Sequence, residues 1–305
     1  MRDLDLLVVG DCNPDLVLAG ARVRPAFGQG ETWVEDARLV VGGTSSITAC
    51  GAARLGLRTA IAGVVGDDLF GRFVRDALAR AGVDTEPLAT ASDLPTGLSA
   101  VLVEPADRAT LTFRGTIGAL EPAMISDELL ARARHVHSGG YFLQGAAALL
   151  GDVFPRARAA GATTSLDPGA DPDERWDDGF SGLLPHLDHL LPNAAEVCAL
   201  TGLASAEEAA LRLAAAGPSV LVKCAADGVL AVAGGAVHRT PALAVDVVDT
   251  IGAGDSTDAG WLAGVLHGWP VERAARLAAV CGSLSTRGAG GTAAQPTLEE
   301  AIAHL

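Results

Sequence analysis

Residues 249–260 read DTIGAGDSTDAG, a string in which residue types and spacing together suggest chemistry. A glycine-alanine-glycine turn (Gly252, Ala253, Gly254) leads into a helix that begins near Asp255. The first N–H groups of a helix have no intrahelical partners, and with the helix dipole they form a site for an anion. Glycine lets a phosphate approach the backbone without meeting a Cβ. A carboxylate at the same helix start repels phosphate, so its useful role there is to take a proton from an attacking hydroxyl. The amides of residues 252–254 would then stabilise charge on a transferring phosphoryl group. The same string also suits an ordinary helix N-cap, with Asp255 as the capping side chain.

Other residues offer weaker signals. Asn193 and Glu196 are three apart and share one side of a helix start. An amide oxygen and a carboxylate fit a Mg²⁺ that keeps most of its waters; they equally fit an N-cap with a capping-box glutamate. His135 and His137 share one face of a strand, but no third metal ligand lies near them in sequence. The five cysteines are scattered, odd in number and contain no C-x-x-C. That argues for free thiols in a reducing cytoplasm, with neither a zinc site nor a disulfide framework.

The elements that must hold these residues alternate. Apolar strand-like runs at 6–10, 60–65, 135–138, 163–167, 189–192, 220–223 and 229–232 are separated by helical stretches. Those stretches lie at 42–56, 67–81, 145–160, 194–201 and 207–216, with two long ones at 255–268 and 271–286. Continuous apolar strands between helices predict an α/β fold in three layers, with a mostly parallel central sheet covered on both faces. Two segments break the rhythm. Residues 15–40 alternate apolar and polar positions between Gly/Pro turns, and residues 96–114 read as a hairpin around residues 105–108. They predict a small antiparallel sheet lying as a lid over the active edge of one domain spanning 1–305. Residues 169–182 read as an acidic surface loop.

The net charge of −15 repels nucleic acid and anionic membranes, which excludes both as partners. It also requires local features to receive an anionic nucleotide, and Lys223 is the chain's single lysine. The opening MRDLDLLVVGD reads as a first strand rather than a signal peptide. No apolar run reaches the roughly 18 residues of a membrane span.

The string at 249–260 matches throughout the C-terminal signature D-T-x-G-A-G-D-x-x-x-A-G of the ribokinase-like (PfkB) carbohydrate kinases, and the chain resembles that family along its length. The resemblance implies a cytoplasmic, ATP-dependent sugar kinase with Asp255 as catalytic base and Gly252–Gly254 as anion hole. GDCNPDLVL at 10–18 is similar to the family's substrate segment, so that Asp15 would bind sugar hydroxyls with Asn13 beside it. Gly42-Gly43 before a helix resembles the N-terminal signature, the second glycine letting the backbone touch the sugar. There the family's substrate-binding asparagine is replaced by Ile47, with Ser45, Ser46 and Thr48 as candidates to supply the missing contact. LLPNAAEVCALTG at 190–202 resembles N-x-x-E, which assigns Asn193 and Glu196 to Mg²⁺ through water. VLVKCAADGVLAV at 220–232 resembles the nucleotide segment, placing Lys223 near the ATP phosphates and Gly228 near the nucleotide, with Ala225 where glycine is usual. Many members bind a monovalent cation such as K⁺ beside the anion hole, and Asp249 with the Ile251 carbonyl matches one side of that site. Relatives often form homodimers through the lid.

Three functions are compatible with these residues. The first is a sugar kinase; the Gly-Gly turn lacks a following lysine, which argues against a phosphorylated sugar, and Arg114 is the one basic residue placed to change that. The second is a nucleoside kinase of the same fold, its base held by Ile47, Trp33 and Phe113. The third is a degenerate sugar-binding member, against which the intact Asp255 and glycine turn argue.

Overall fold

The first strand, β1 (Leu4–Val9), is buried along its whole length. Its side chains divide by parity: Leu7 and Val9 join one apolar cluster, Leu6 and Val8 another. A strand apolar on both sides must lie inside a sheet covered on both faces. The computed structural model, which describes residues 2–104 and 107–305, contains that sheet.

The remaining strands follow in chain order: β2 (Asn13–Ala19), β3 (Asp36–Gly42), β4 (Thr59–Gly66), β5 (Leu88–Ala91), β6 (Leu98–Glu104) and β7 (Asp107–Phe113). After them come β8 (Ala133–Ser138), β9 (Thr163–Leu166), β10 (His189–Leu190), β11 (Ser219–Lys223), β12 (Val229–Ala233) and β13 (Ala236–Thr240). Nine of them form one sheet in the order β13-β12-β11-β10-β9-β8-β1-β4-β5. Every neighbouring pair from β11 to β5 is parallel, and β12 and β13 add an antiparallel edge. The chain moves outward from β1 toward β4 and β5, then restarts on the other side at β8. Ligands of such sheets bind beyond the carboxyl ends of the strands at this switch point.

The second sheet has the order β3-β2-β6-β7. It is antiparallel within each half, and the halves join by a parallel pairing of β2 with β6. These are the two segments that break the β-α rhythm. Of the hairpin turn expected at residues 105–108, Pro105 and Ala106 lie outside the described residues. Because β2 begins at Asn13, Asn13 and Asp15 fall on one face at the root of this sheet. The other face leaves Leu111 and Phe113 exposed.

The helix Ala253–Leu266, which carries Asp255 at its start, is clamped between the helices Thr44–Arg54 and Val271–Ser285. Small residues make the approach possible. A Cβ on Gly260 would lie 2.9 Å from the Ala278 Cα, and one on Gly264 would lie 2.7 Å from the Ala274 Cα. A Cβ on Gly51 would lie 2.9 Å from that of Ala259. Much of the alanine and glycine in this chain therefore fixes the position of one helix. Among the described residues no helix is long and apolar enough to cross a membrane.

Two strands carry no sequence signal of their own. β5 has only four residues, and β13 is half-exposed and follows a two-glycine turn. The expected loop at 169–182 contains a single helical turn, Phe180–Leu183. Asp171 organises its start by accepting hydrogen bonds from the N–H groups of Asp173, Arg175 and Trp176.

At Ala225 the backbone adopts φ 50°, a region that costs an L-residue roughly 1–2 kcal/mol. Replacing Ala225 by Gly should raise stability by about 0.5–1 kcal/mol, after glycine's greater unfolded-state entropy is subtracted. Urea unfolding checks this, and a lower midpoint would contradict the strained turn.

Candidate active site

Gly252 takes up φ 71°, ψ 8° and opens the helix. A Cβ there would lie 2.6 Å from the Gly291 Cα, so both the conformation and the space require glycine. Asp249 holds the turn from below. Its Oδ1 accepts from Ile251 N at 2.9 Å and its Oδ2 from Gly290 N at 2.8 Å. The Ala253 amide makes a long 3.3 Å bond to Thr250 O, and Ser256 N bonds Gly252 O. No hydrogen bond among the described residues engages the amides of Gly252, Gly254 or Asp255. Three of the N–H groups at this helix start thus remain available, as an anion-receiving turn requires.

A cavity of about 220 Å³ opens beside this turn, between the main sheet and the lid. Its lining includes Asp11, Asn13, Asp15, Gly43, Ile47 and Asp255. Asp11, just after β1, caps the helix Thr44–Arg54: its carboxylate accepts from Thr44 N at 3.1 Å and Ser45 N at 3.0 Å. Gly43, at φ 80°, leaves room for this, since a Cβ would sit 2.9 Å from both Asp11 Oδ2 and Asn13 Oδ1. A Cβ on Gly42 would overlap the Asp15 carboxylate. The glycine pair is therefore what lets two acidic side chains and an amide crowd one end of the cavity. Burial and the neighbouring Asp11 push the Asp15 carboxyl up to about 7. Buried Asn13 leaves its Oδ1 without a protein partner, an acceptor that a ligand hydroxyl would satisfy.

Behind Asp255 lies a buried charge cluster. Oxygens of Asp167, Asp255 and Asp258 all lie within 4.8 Å of one another. Lys223 Nζ bonds Asp167 Oδ2 at 2.8 Å and Asp258 Oδ2 at 3.0 Å. One ammonium cannot balance three carboxylates in a site with little water. Burial raises the Asp255 carboxyl well above the ordinary aspartate range, reinforced by repulsion from Asp167, Asp11 and Asp15; Lys223 opposes the shift. Burial lifts Asp258 likewise, whereas Lys223 holds Asp167 low against its own burial. Lys223 thus stands beneath the turn, its Nζ 3.8 Å from where a Gly254 Cβ would be, engaged with carboxylates rather than open toward a nucleotide.

Asn193 and Glu196 form the capping box in full. Asn193 Oδ1 accepts from Ala195 N and Glu196 N, both at 2.9 Å. Glu196 Oε2 accepts from Asn193 N at 2.8 Å and Oε1 from Asn193 Nδ2 at 2.6 Å. Burial and the nearby Asp167 raise the Glu196 carboxyl to about 7. Each carboxylate oxygen keeps a lone pair, so the pair fits contact with a metal through water and not direct ligation. Gly228, at φ 89°, shapes the turn between β11 and β12, and a Cβ there would collide with the Thr240–Ala242 backbone.

Several expectations need correction. Ser45, Ser46 and Thr48 are buried and hydrogen-bond backbone oxygens of Gly139, Asp11 and Asp255; Thr44 and Ile47 line the cavity instead. Ile47 fills the space beside Gly252 and Gly291, so its apolar side chain packs the turn. Arg114 donates to the Ile117 and Gln144 carbonyls, both at 3.3 Å, and does not line the cavity. Trp33 is 90% exposed and Phe113 55% exposed, and neither borders the cavity, so the slot expected for a nucleoside base is not built. His135 and His137 bond Thr163 and Ser165 hydroxyls inside the core, and burial holds both below the usual histidine range. Asp11, Asp167, Asp258, Ser99 and Arg108 belong to the site without having stood out in the sequence. For Asp11 and Asp167 the available signal was position, since each follows the carboxyl end of a parallel strand.

Lys223→Met should destabilise the fold by about 3–5 kcal/mol, because it leaves buried carboxylates without a counter-charge. Adding Asp258→Asn should recover part of that loss. Denaturant unfolding of the single and double variants checks this, and additive losses would contradict the cluster.

Comparison with known proteins places this site in context. The family model for pfkB family carbohydrate kinases matches residues 3–298. An ATP-dependent ribose-1-phosphate kinase of Halopiger xanaduensis is 33% identical over 303 residues, covering 98% of this chain and 97% of the relative. The structure of Arabidopsis thaliana ribokinase complexed with ribose and ATP aligns with TM-score 0.85 at 24% identity, covering 98% of each chain. A protein of E. coli described as a ribokinase II, in complex with ATP and Mg²⁺, aligns with TM-score 0.86 at 21% identity, covering 99% of this chain and 98% of that one. The chain belongs to the pfkB family of carbohydrate kinases.

Proposed function

We propose that the protein transfers a phosphoryl group from ATP to a hydroxyl of a monosaccharide bound in the cavity between the two sheets. One observation carries this reading: Asp255 lines that cavity at the first turn of a helix whose neighbouring amides are unengaged. Asp255 takes the proton of the attacking hydroxyl as that oxygen bonds to phosphorus and the bond to the leaving oxygen of ADP breaks. The amides at 252–254 stabilise charge on the phosphoryl oxygens, with those of Gly252 and Gly254 already free to do so. Asp15 and Asn13 offer acceptors to the other hydroxyls of the sugar, and the lid excludes water from the reaction.

Mg²⁺ bound with the nucleotide would supply charge neutralisation at the phosphates. Glu196, held by its capping box, would accept hydrogen bonds from the water of that metal. Asp249, which already ties Ile251 to Gly290, marks the side of the turn where a monovalent cation such as K⁺ would bind. Of the residues expected to hold a nucleoside base, Ile47 lines the cavity while Trp33 and Phe113 stand outside it, which favours the sugar over the nucleoside as acceptor.

Asp255→Asn should lower kcat by about 10²–10⁴-fold with the fold intact. The same change should stabilise the protein. A carboxyl whose folded pKa is raised penalises folding increasingly as pH climbs from its unfolded value through its folded one. The gain should therefore be larger in alkaline than in acidic buffer, read by thermal unfolding. Near-normal turnover would remove Asp255 as the base. Correspondingly, kcat/KM of the wild type should rise with pH through an apparent pKa above the ordinary aspartate value.

Glu196→Gln keeps the backbone cap but removes the charge. It should raise the Mg²⁺ concentration for half-maximal rate roughly tenfold. An unchanged metal titration would contradict the assignment.

A further inference from the structure

Arg108 is the one basic residue among the described residues that line the sugar cavity. It is held on β7 with Thr110 and Thr112, all on one face by the two-residue period of a strand. The strand pairing sets that face opposite Ser99 and Val101 of β6, which in turn lie beside Asp15 and Val17 of β2. The lid thus presents a guanidinium and a row of hydroxyls to the same space that Asp11, Asp15 and Asp255 enter from the main sheet.

The guanidinium forms no hydrogen bond or ion pair with any described residue, although it is close enough to Asp15 to draw that carboxyl downward in part. By contrast, Arg24 of the same lid is fixed to Glu104 by two bonds, of 3.2 and 3.1 Å. The Thr110 hydroxyl is unengaged among the described residues, while Ser99 and Thr112 bond each other at 3.1 Å. A neutral sugar needs acceptors and donors, which Asp15, Asn13 and the hydroxyls provide. Arg108 is exposed on β7, and the fork of N–H donors it holds free at the cavity wall matches the two oxygens of a phosphate or carboxylate better than the single hydroxyls of a neutral sugar. Away from the lid the ionisable side chains that line the cavity are Asp11, Asp15 and Asp255, so with the turn at 252–254 given to the transferring phosphate, Arg108 is the side chain placed to receive an anionic group on the substrate.

We propose that Arg108 binds an anionic group carried by the sugar, so that the substrate is a phosphorylated or carboxylated monosaccharide oriented with its anion under the lid and its acceptor hydroxyl toward Asp255. This rests on the kinase reading above and specifies the substrate class for it.

The test compares wild type with Arg108→Gln on ribose, ribose 1-phosphate and gluconate. For each, kcat/KM is measured by ADP release and binding by calorimetry. Wild type should prefer ribose 1-phosphate or gluconate to ribose, and the preferred compound separates a phosphate from a carboxylate. The variant should lose that preference by about 10–100-fold, mostly through KM. A fall of equal size on ribose and on the anionic sugar would overturn the proposal, since Arg108 would then act only on Asp15. No change on any compound would also overturn it. If no compound is phosphorylated, the kinase reading fails, but calorimetry still decides this one: anionic sugar bound equally by both proteins refutes the role of Arg108.

Discussion

A half-buried carboxylate stands at the amino end of a helix, at the wall of a cavity, with two further carboxylates close behind it. That arrangement constrains the rest of the molecule. The helix start favours negative charge and burial opposes it, and burial prevails, holding the Asp255 carboxyl well above the ordinary aspartate range. The chain's single lysine is bound into this balance, beneath the turn and against Asp167 and Asp258. A protein with a net charge of −15 has no favourable long-range field for a polyphosphate. The unengaged backbone amides of Gly252 and Gly254, which carry no counter-ion and need no reorganisation, are the local feature available to attract one.

Holding that helix in place consumes much of the chain's unusual composition. Gly260 and Gly264 against Ala278 and Ala274 bring two helices into near-backbone contact, and Gly51 against Ala259 does the same on the other side. At the turn itself Gly252 leaves no room for a side chain beside Gly291, and Ile47 closes the remaining gap. Ile47 is therefore a packing residue of the Gly252 turn as well as a wall of the cavity beneath the lid. Gly42 and Gly43 perform the matching function at the cavity's other end, admitting Asp15, Asn13 and Asp11 where any Cβ would displace them.

The legible parts of this structure were those with a period or a contiguous motif. β1, β4 and β11 are runs of apolar residues too long to be anything but buried, and the helix Ala194–Thr201 carries its capping box in the sequence. The lid was visible in its alternation, though the parallel pairing of β2 with β6 was not, because two hairpins do not specify how they meet. β5 and β13 are set by tertiary pairing alone. The site divides the same way. Asp255 and its glycines sit in one string, whereas Asp167, Asp258 and Lys223 come together from 56 and 35 residues apart. Arg108 was overlooked in favour of Arg114 because register, not residue type, decides which lid arginine faces the cavity.

The most direct test of the account is a crystal structure of the protein with its sugar and a non-hydrolysable ATP analogue. The geometry predicts an Asp255 carboxylate oxygen about 2.6–3.2 Å from one sugar hydroxyl, with the Gly252 and Gly254 amides directed at the terminal phosphate across from it. A sugar hydroxyl facing the phosphate but well beyond hydrogen-bond reach of Asp255, or a terminal phosphate held away from that helix start, would contradict it.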